Sequence, residues 1–146
     1  MGKTYETILI AVDGSQEAKN ALQKAFDVAK TDEAKLIIAH VIDTRTFATV
    51  EQYDRTVVAR AEKYGKELLE QYKAEAEEAG LSNVETVLDF GSPKVKISKE
   101  IATNLEVDLI ITGATGLNAV ERLLIGSVSE YITRHAHCDV LIVRGK

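Results

Sequence analysis

A glycine spacing, Gly113-x2-Gly116-x9-Gly126-Ser127, lies between the apolar run DLIIT and the start of a helical pattern. Glycine lets backbone approach a ligand closely and takes up positive φ at little steric cost. A helix start adds unpaired N–H groups and the positive end of a dipole. The chemistry this spacing could do is therefore to hold a phosphate. The same residues also have a purely structural reading. Ser127-Val128-Ser129-Glu130 is a capping box, S-x-x-E, and Gly126 can serve as a turn. Glu130 argues for that second reading, because a carboxylate in the first helical turn competes electrostatically with a phosphate.

The elements that must position this loop follow from an alternation of apolar runs and helical patterns. The first strand is expected over Thr7 to Val12, a continuous apolar run that implies burial on both faces. Asp13-Gly14-Ser15 turns the chain, and Ser15 can cap a helix running to about Lys30, with Ala18, Ala21, Leu22, Ala25, Phe26 and Ala29 as its apolar stripe. The second strand is Lys35 to Ile42. A connection over about 43–54 leads to the longest helix, whose expected stripe is Val57, Ala61, Tyr64, Leu68, Tyr72 and Ala76, with Gly80 as its stop. Gly65 lies within that helix and costs about 1 kcal/mol relative to Ala unless it permits close packing.

The alternating pattern of Val84 to Phe90 predicts an edge or half-exposed strand. Ser92 is placed as an N-cap with Pro93 at the first helical position, and that helix extends to about Asn104. Strand four is Val107 to Thr112, followed by the glycine loop, a helix from about Val128 to Ala136, and strand five from Asp139 to Arg144. This order predicts a single α/β domain: an open, parallel, five-stranded sheet with helices on both faces and right-handed crossovers, Rossmann-like in class. Ligands bind such sheets beyond the C-terminal strand ends. A strand order of 3-2-1-4-5 would bring Asp13, after strand one, beside Gly113, after strand four.

Composition excludes several classes of function. The 146 residues carry 18 Lys and Arg against 23 Asp and Glu, a net charge of −5, with no basic block, so a nucleic-acid partner is not expected. The apolar run near the N-terminus is too short for a signal or membrane segment, and the single cysteine, Cys138, excludes an intrachain disulfide. No membrane partner is expected, and the expected location is the cytoplasm. His135-x-His137-Cys138 resembles a metal-ligand cluster. Its members straddle a helix end and a strand start, where side chains diverge, so no metal is assigned to it. His40, inside an apolar strand, reads as a packed and hydrogen-bonded residue.

At whole-chain scale, the segment DLIITGATGLNAVERLLIGSVSEYITRHAHCDVLIVR (Asp108 to Arg144) resembles the C-terminal half of a universal stress protein. ILIAVDGS near the N-terminus and FGSPKVKISKEIA, with its G-x-P entry to the third helix, resemble the corresponding segments of that family. The glycine pattern is similar to that of its ATP-binding branch. The resemblance implies a small dimer of the adenine nucleotide alpha hydrolase-like fold, pairing through the terminal strand 139–144. It also implies ATP or AMP as ligand, with Mg²⁺ held mainly by the phosphates. Asp13 would bind ribose hydroxyls, while Ala11 and Val41, at the ends of strands one and two, would flank the base. Gly113 would lie against the ribose, and Gly116, Gly126, Ser127, Val128 and Ser129 would cradle the phosphates. One departure stands out: Leu117 occupies a position where members often carry Arg or another polar donor.

No Walker-type loop, kinase catalytic loop or nucleophile elbow occurs in the chain, so no catalytic residue is assigned. Three functions remain open: a dimeric ATP-binding regulatory protein of the stress response, a protein-interaction dimer with little ATP affinity, and a weak ATPase.

Overall fold

The computed structural model describes residues 4–44, 55–114 and 127–144. The first apolar run becomes β1, Thr7–Ala11, in which Ile8, Leu9 and Ile10 have no solvent exposure. Each such side chain contributes about 1.5–3 kcal/mol when removed from water, which commits the run to the middle of the sheet. Around it stand β2 (Lys35–Asp43), β3 (Val84–Gly91), β4 (Leu109–Gly113) and β5 (Asp139–Val143). All pairings are parallel, and the order is β3-β2-β1-β4-β5, the order expected of the fold class.

Successive side chains of each strand serve opposite faces. Ile8, Ile10, Leu36, Ile38, Leu109 and Ile111 pack under helices α1 (Gln16–Asp32) and α2 (Arg55–Glu78). Leu9, Ile37, Ala39, Val41 and Ile110 pack against Ile97, Ile101 and Ile132 on the other face. Ile97 and Ile101 belong to α3, which is α-helical over Pro93–Val95, π-helical over Lys96–Ile101 and α-helical again over Ala102–Asn104. Ile132 belongs to α4, Ser127–His135.

The local signals act largely as expected. Ser15 caps α1, its hydroxyl oxygen accepting the Ala18 N–H at 3.1 Å. Gly80 ends α2 with φ 102°, and the Leu81 N–H reaches back to the Ala76 carbonyl at 3.1 Å. β3 is an edge strand and half-buried along its whole length.

Two expectations are corrected. The buried stripe of α2 is Gly65, Leu69, Tyr72 and Ala76, so Val57 and Tyr64 face outward, Tyr64 with 51% exposure. Glycine scores as a gap in an apolar pattern, yet here the gap is the contact. A Cβ on Gly65 would stand 2.8 Å from Leu88 Cδ1 and 2.9 Å from His40 Cδ2, so its absence lets the helix approach the sheet. Ser92 occupies the N-cap position before Pro93, but its side chain makes no capping bond, and the turn closes instead from the Lys96 N–H to the Ser92 carbonyl at 2.9 Å. Among the described residues no helix is long and apolar enough to cross a membrane.

Candidate functional site

Because every strand runs the same way, the C-terminal ends of β1, β2 and β4 share one rim of the sheet. Asp13 follows β1 on that rim and is half-buried. Its Oδ1 accepts the Ser15 N–H at 3.0 Å, an Asx turn that orients the carboxylate. Oδ2 takes no part in the turn. Gly14 has φ 84°, a conformation that favours glycine, and the Tyr64 hydroxyl occupies the space a Cβ there would need. His40, 9% exposed, donates from Nδ1–H to the Val12 carbonyl at 2.8 Å and meets the Tyr64 ring edge-on at 6.2 Å. The histidine is thus packed and hydrogen-bonded, and the Val12 acceptor fixes its tautomer.

Ala11 and Val41 lie on the sheet face that carries α3 and α4, Ala11 half-buried and Val41 7% exposed. Gly113, next to β1 on the rim, is glycine for a reason of packing: a Cβ would stand 3.0 Å from the Glu17 carbonyl oxygen in the first turn of α1. Its carbonyl accepts a hydrogen bond from the Ser129 hydroxyl, and Thr112 Oγ1 lies 3.4 Å from Ser129 Oγ. This hook fastens the first turn of α4 to the end of β4. Ser129 is 4% exposed and commits its hydroxyl proton to that hook, so Ser127 is the exposed hydroxyl of the pair. Val128 is half-buried between them.

The structure thus gathers Ala11, Asp13, Val41, Gly113, Ser127, Val128 and Ser129 on the C-terminal side of the sheet. Gly116, Gly126 and Leu117 lie outside the described residues, as does most of the 43–54 connection. At the β3 end of the rim, Lys96 sits between Glu100 at 3.2 Å and Asp89 at 3.6 Å. The Glu100 hydrogen bond, with Asp89 added, holds its ammonium above the usual lysine range. Burial, then Tyr64, Glu75 and Asp13, push the Tyr72 phenol up. Tyr64 is the rim residue that pattern reasoning missed, since an aromatic at helical spacing reads as core. Its signal was the glycine that follows it.

His135 stacks on Tyr131 with ring centroids 4.1 Å apart in the last turn of α4. His137 and Cys138 instead line a shallow depression with Glu106 and Val107, at the opposite, N-terminal end of the strands. Among the described residues no three His, Cys, Asp or Glu side chains are placed to hold a metal ion.

The profile of the universal stress protein family matches residues 4–144. The chain belongs to the universal stress protein family. A Staphylococcus haemolyticus protein carrying the family's name is 55% identical over 141 residues, spanning 97% of this chain and 86% of the relative. Among solved structures, a hypothetical protein studied as a structural-genomics test case superposes with a TM-score of 0.88 at 30% identity, covering 99% of both chains. A universal stress protein in complex with cAMP superposes with a TM-score of 0.72 at 27% identity, covering 99% of this chain and 100% of the other. The five-stranded parallel sheet is therefore this family's fold.

Proposed function

We propose that this universal stress protein is a cytoplasmic, homodimeric regulatory protein that binds ATP. One observation carries the reading: Asp13, Gly113 and the start of α4 occupy adjoining positions at the C-terminal rim, where β1 and β4 are neighbours. A parallel sheet offers its ligand crevice at such a point. The donor set suits an adenine nucleotide. Asp13 Oδ2, which takes no part in the turn, would accept from ribose hydroxyls, and Ala11 and Val41 would give the base an apolar wall. The α4 amides at Ser127, Val128 and Ser129, with the Ser127 hydroxyl, face the phosphates, assisted by Gly116 and Gly126. Mg²⁺ would be held mainly by the phosphates. The relative solved with cAMP supports an adenine nucleotide as the ligand class. Strand 139–144, at the sheet edge, is where two copies would pair.

A second reading, an interaction dimer with little ATP affinity, draws on two details. Ser129 spends its hydroxyl on Gly113, and Leu117 brings no donor to the loop. Thermal unfolding with ATP·Mg²⁺ separates the readings. Binding predicts stabilisation that grows with ligand excess, about 2.7 kcal/mol at 100 times Kd. A response that stays flat to millimolar ATP would sink the nucleotide reading. Ser127→Ala refines the result: capping alone predicts a loss of about 1 kcal/mol with or without ATP. Phosphate contact predicts an added loss only when ATP is present. Turnover above a mock-purified background, abolished by Asp13→Ala, would instead favour a weak ATPase.

A further inference from the structure

Asp13 is bracketed by two residues that are each held from the α2 side of the sheet. On one side, the Val12 carbonyl accepts the His40 Nδ1–H at 2.8 Å, while the Val12 N–H is tied to the Ala39 carbonyl at 2.9 Å. On the other side, the Tyr64 hydroxyl lies against Gly14, in the volume that a side chain at that position would claim. The Tyr64 contact depends on how closely α2 approaches. Gly65 lets the helix backbone descend onto His40 and Leu88, which carries the neighbouring Tyr64 over the turn.

Tyr64 makes little sense as a core residue, being 51% exposed in a helix whose buried stripe runs through Gly65, Leu69, Tyr72 and Ala76. Its ring also stands edge-on to His40, with an interplanar angle of 72°. The phenol therefore reaches two of the groups that fix the Asp13 turn. Gly14 at φ 84° is the pivot of that turn, and glycine is the residue with most freedom to leave a given conformation. A contact that blocks its movement narrows where the Asp13 carboxylate can point.

We infer that Tyr64 is a positioning residue for nucleotide recognition: by packing its hydroxyl over Gly14 it holds Asp13 in the orientation that reads the ribose hydroxyls, and so couples α2 to the ligand. The inference rests on the nucleotide reading above. It makes a demand that general stability does not. Loss of Tyr64 must hurt the ribose contact and spare the phosphate and base contacts.

The experiment compares ATP with 2′,3′-dideoxyATP by titration calorimetry, in wild type, Tyr64→Ala, Tyr64→Phe and Asp13→Ala. Wild type should favour ATP over the dideoxy analogue by roughly tenfold, as expected for one hydrogen bond to a charged acceptor. Asp13→Ala should remove that preference. Tyr64→Ala should reduce it several-fold while leaving dideoxyATP affinity close to wild type. Tyr64→Phe keeps the ring and removes the hydroxyl, so it gives the same answer if the alanine variant does not fold. A wild-type preference that persists unchanged in both Tyr64 variants overturns the inference and leaves nucleotide binding intact. Absence of any ATP binding by the wild type overturns both, and binding without ribose preference overturns the role of Asp13 and of Tyr64 together.

Discussion

At the scale of single residues, carboxylates govern both ends of the sheet. At the N-terminal end, Asp108 accepts the N–H groups of Glu6 and Thr7 at 3.0 and 2.9 Å, and Asp32 accepts that of Tyr5 at 3.0 Å. The Tyr5 hydroxyl donates to Asp139 Oδ2 at 2.6 Å, and this bond is the main reason its phenol is raised from 10.0 to about 12. A pKa raised on folding means the folded state keeps the proton longer. Its contribution to stability is complete below pH 10.0 and is lost as pH climbs through about 12. Urea unfolding of wild type and Tyr5→Phe across that window should show the wild-type advantage shrinking toward alkaline pH, and a constant difference would refute the linkage. Residue roles were the hardest feature to read in the chain itself. Asp13 and Gly113 were legible as rim residues because each directly follows an apolar run. That Ser129 turns its hydroxyl inward onto Gly113 was not legible, since the capping-box pattern says nothing about which hydroxyl faces β4.

Elements were more legible than their phases. Continuous apolar runs marked β1, β2 and β4, and the alternation in β3 marked an edge. For α2 the extent was readable, but the phase of its buried face was displaced, because Tyr64 scores as apolar and Gly65 does not. The π-helical turn in α3 left no mark in the sequence pattern, as Ile97 and Ile101 fit an ordinary helical stripe. Its widened turn is partly served by Ser98, whose hydroxyl donates to the Lys94 carbonyl at 2.6 Å. The Gly65 contact allows a sharp prediction. Alanine gains about 1 kcal/mol in helix propensity. Its Cβ, however, would press on Leu88 and on His40, and His40 cannot retreat without giving up Val12. Overpacking of this kind costs about 1–3 kcal/mol, so Gly65→Ala should destabilise by about 1 kcal/mol net in chemical denaturation. A stabilised Gly65→Ala protein would show that α2 can lift away freely.

At the scale of the whole molecule, the alternation of elements made a parallel sheet legible, while the strand order came from the fold class and leaves β3 and β5 as edges. On β5, Leu141 and Val143 pack toward α1 and Val140 toward the opposite face, while half-buried Ile142 belongs to neither cluster. An unprotected apolar edge invites pairing, and a lysine placed on it blocks that pairing. Light scattering should therefore find wild type at twice the 16.0 kDa chain mass and Ile142→Lys at the chain mass, with the fold retained. A wild-type monomer at micromolar concentration would refute the edge-paired dimer. Because all strands run in parallel, the two ends of the sheet are separate places to attach reporters. Val143 pairs with Gly113, so a fluorophore at Arg144 would stand next to the proposed nucleotide rim, whereas one at Tyr5 would stand a strand's length away among the carboxylates. Two dyes placed at these points would divide the signal, the first reporting the proposed nucleotide occupancy and the second reporting unfolding.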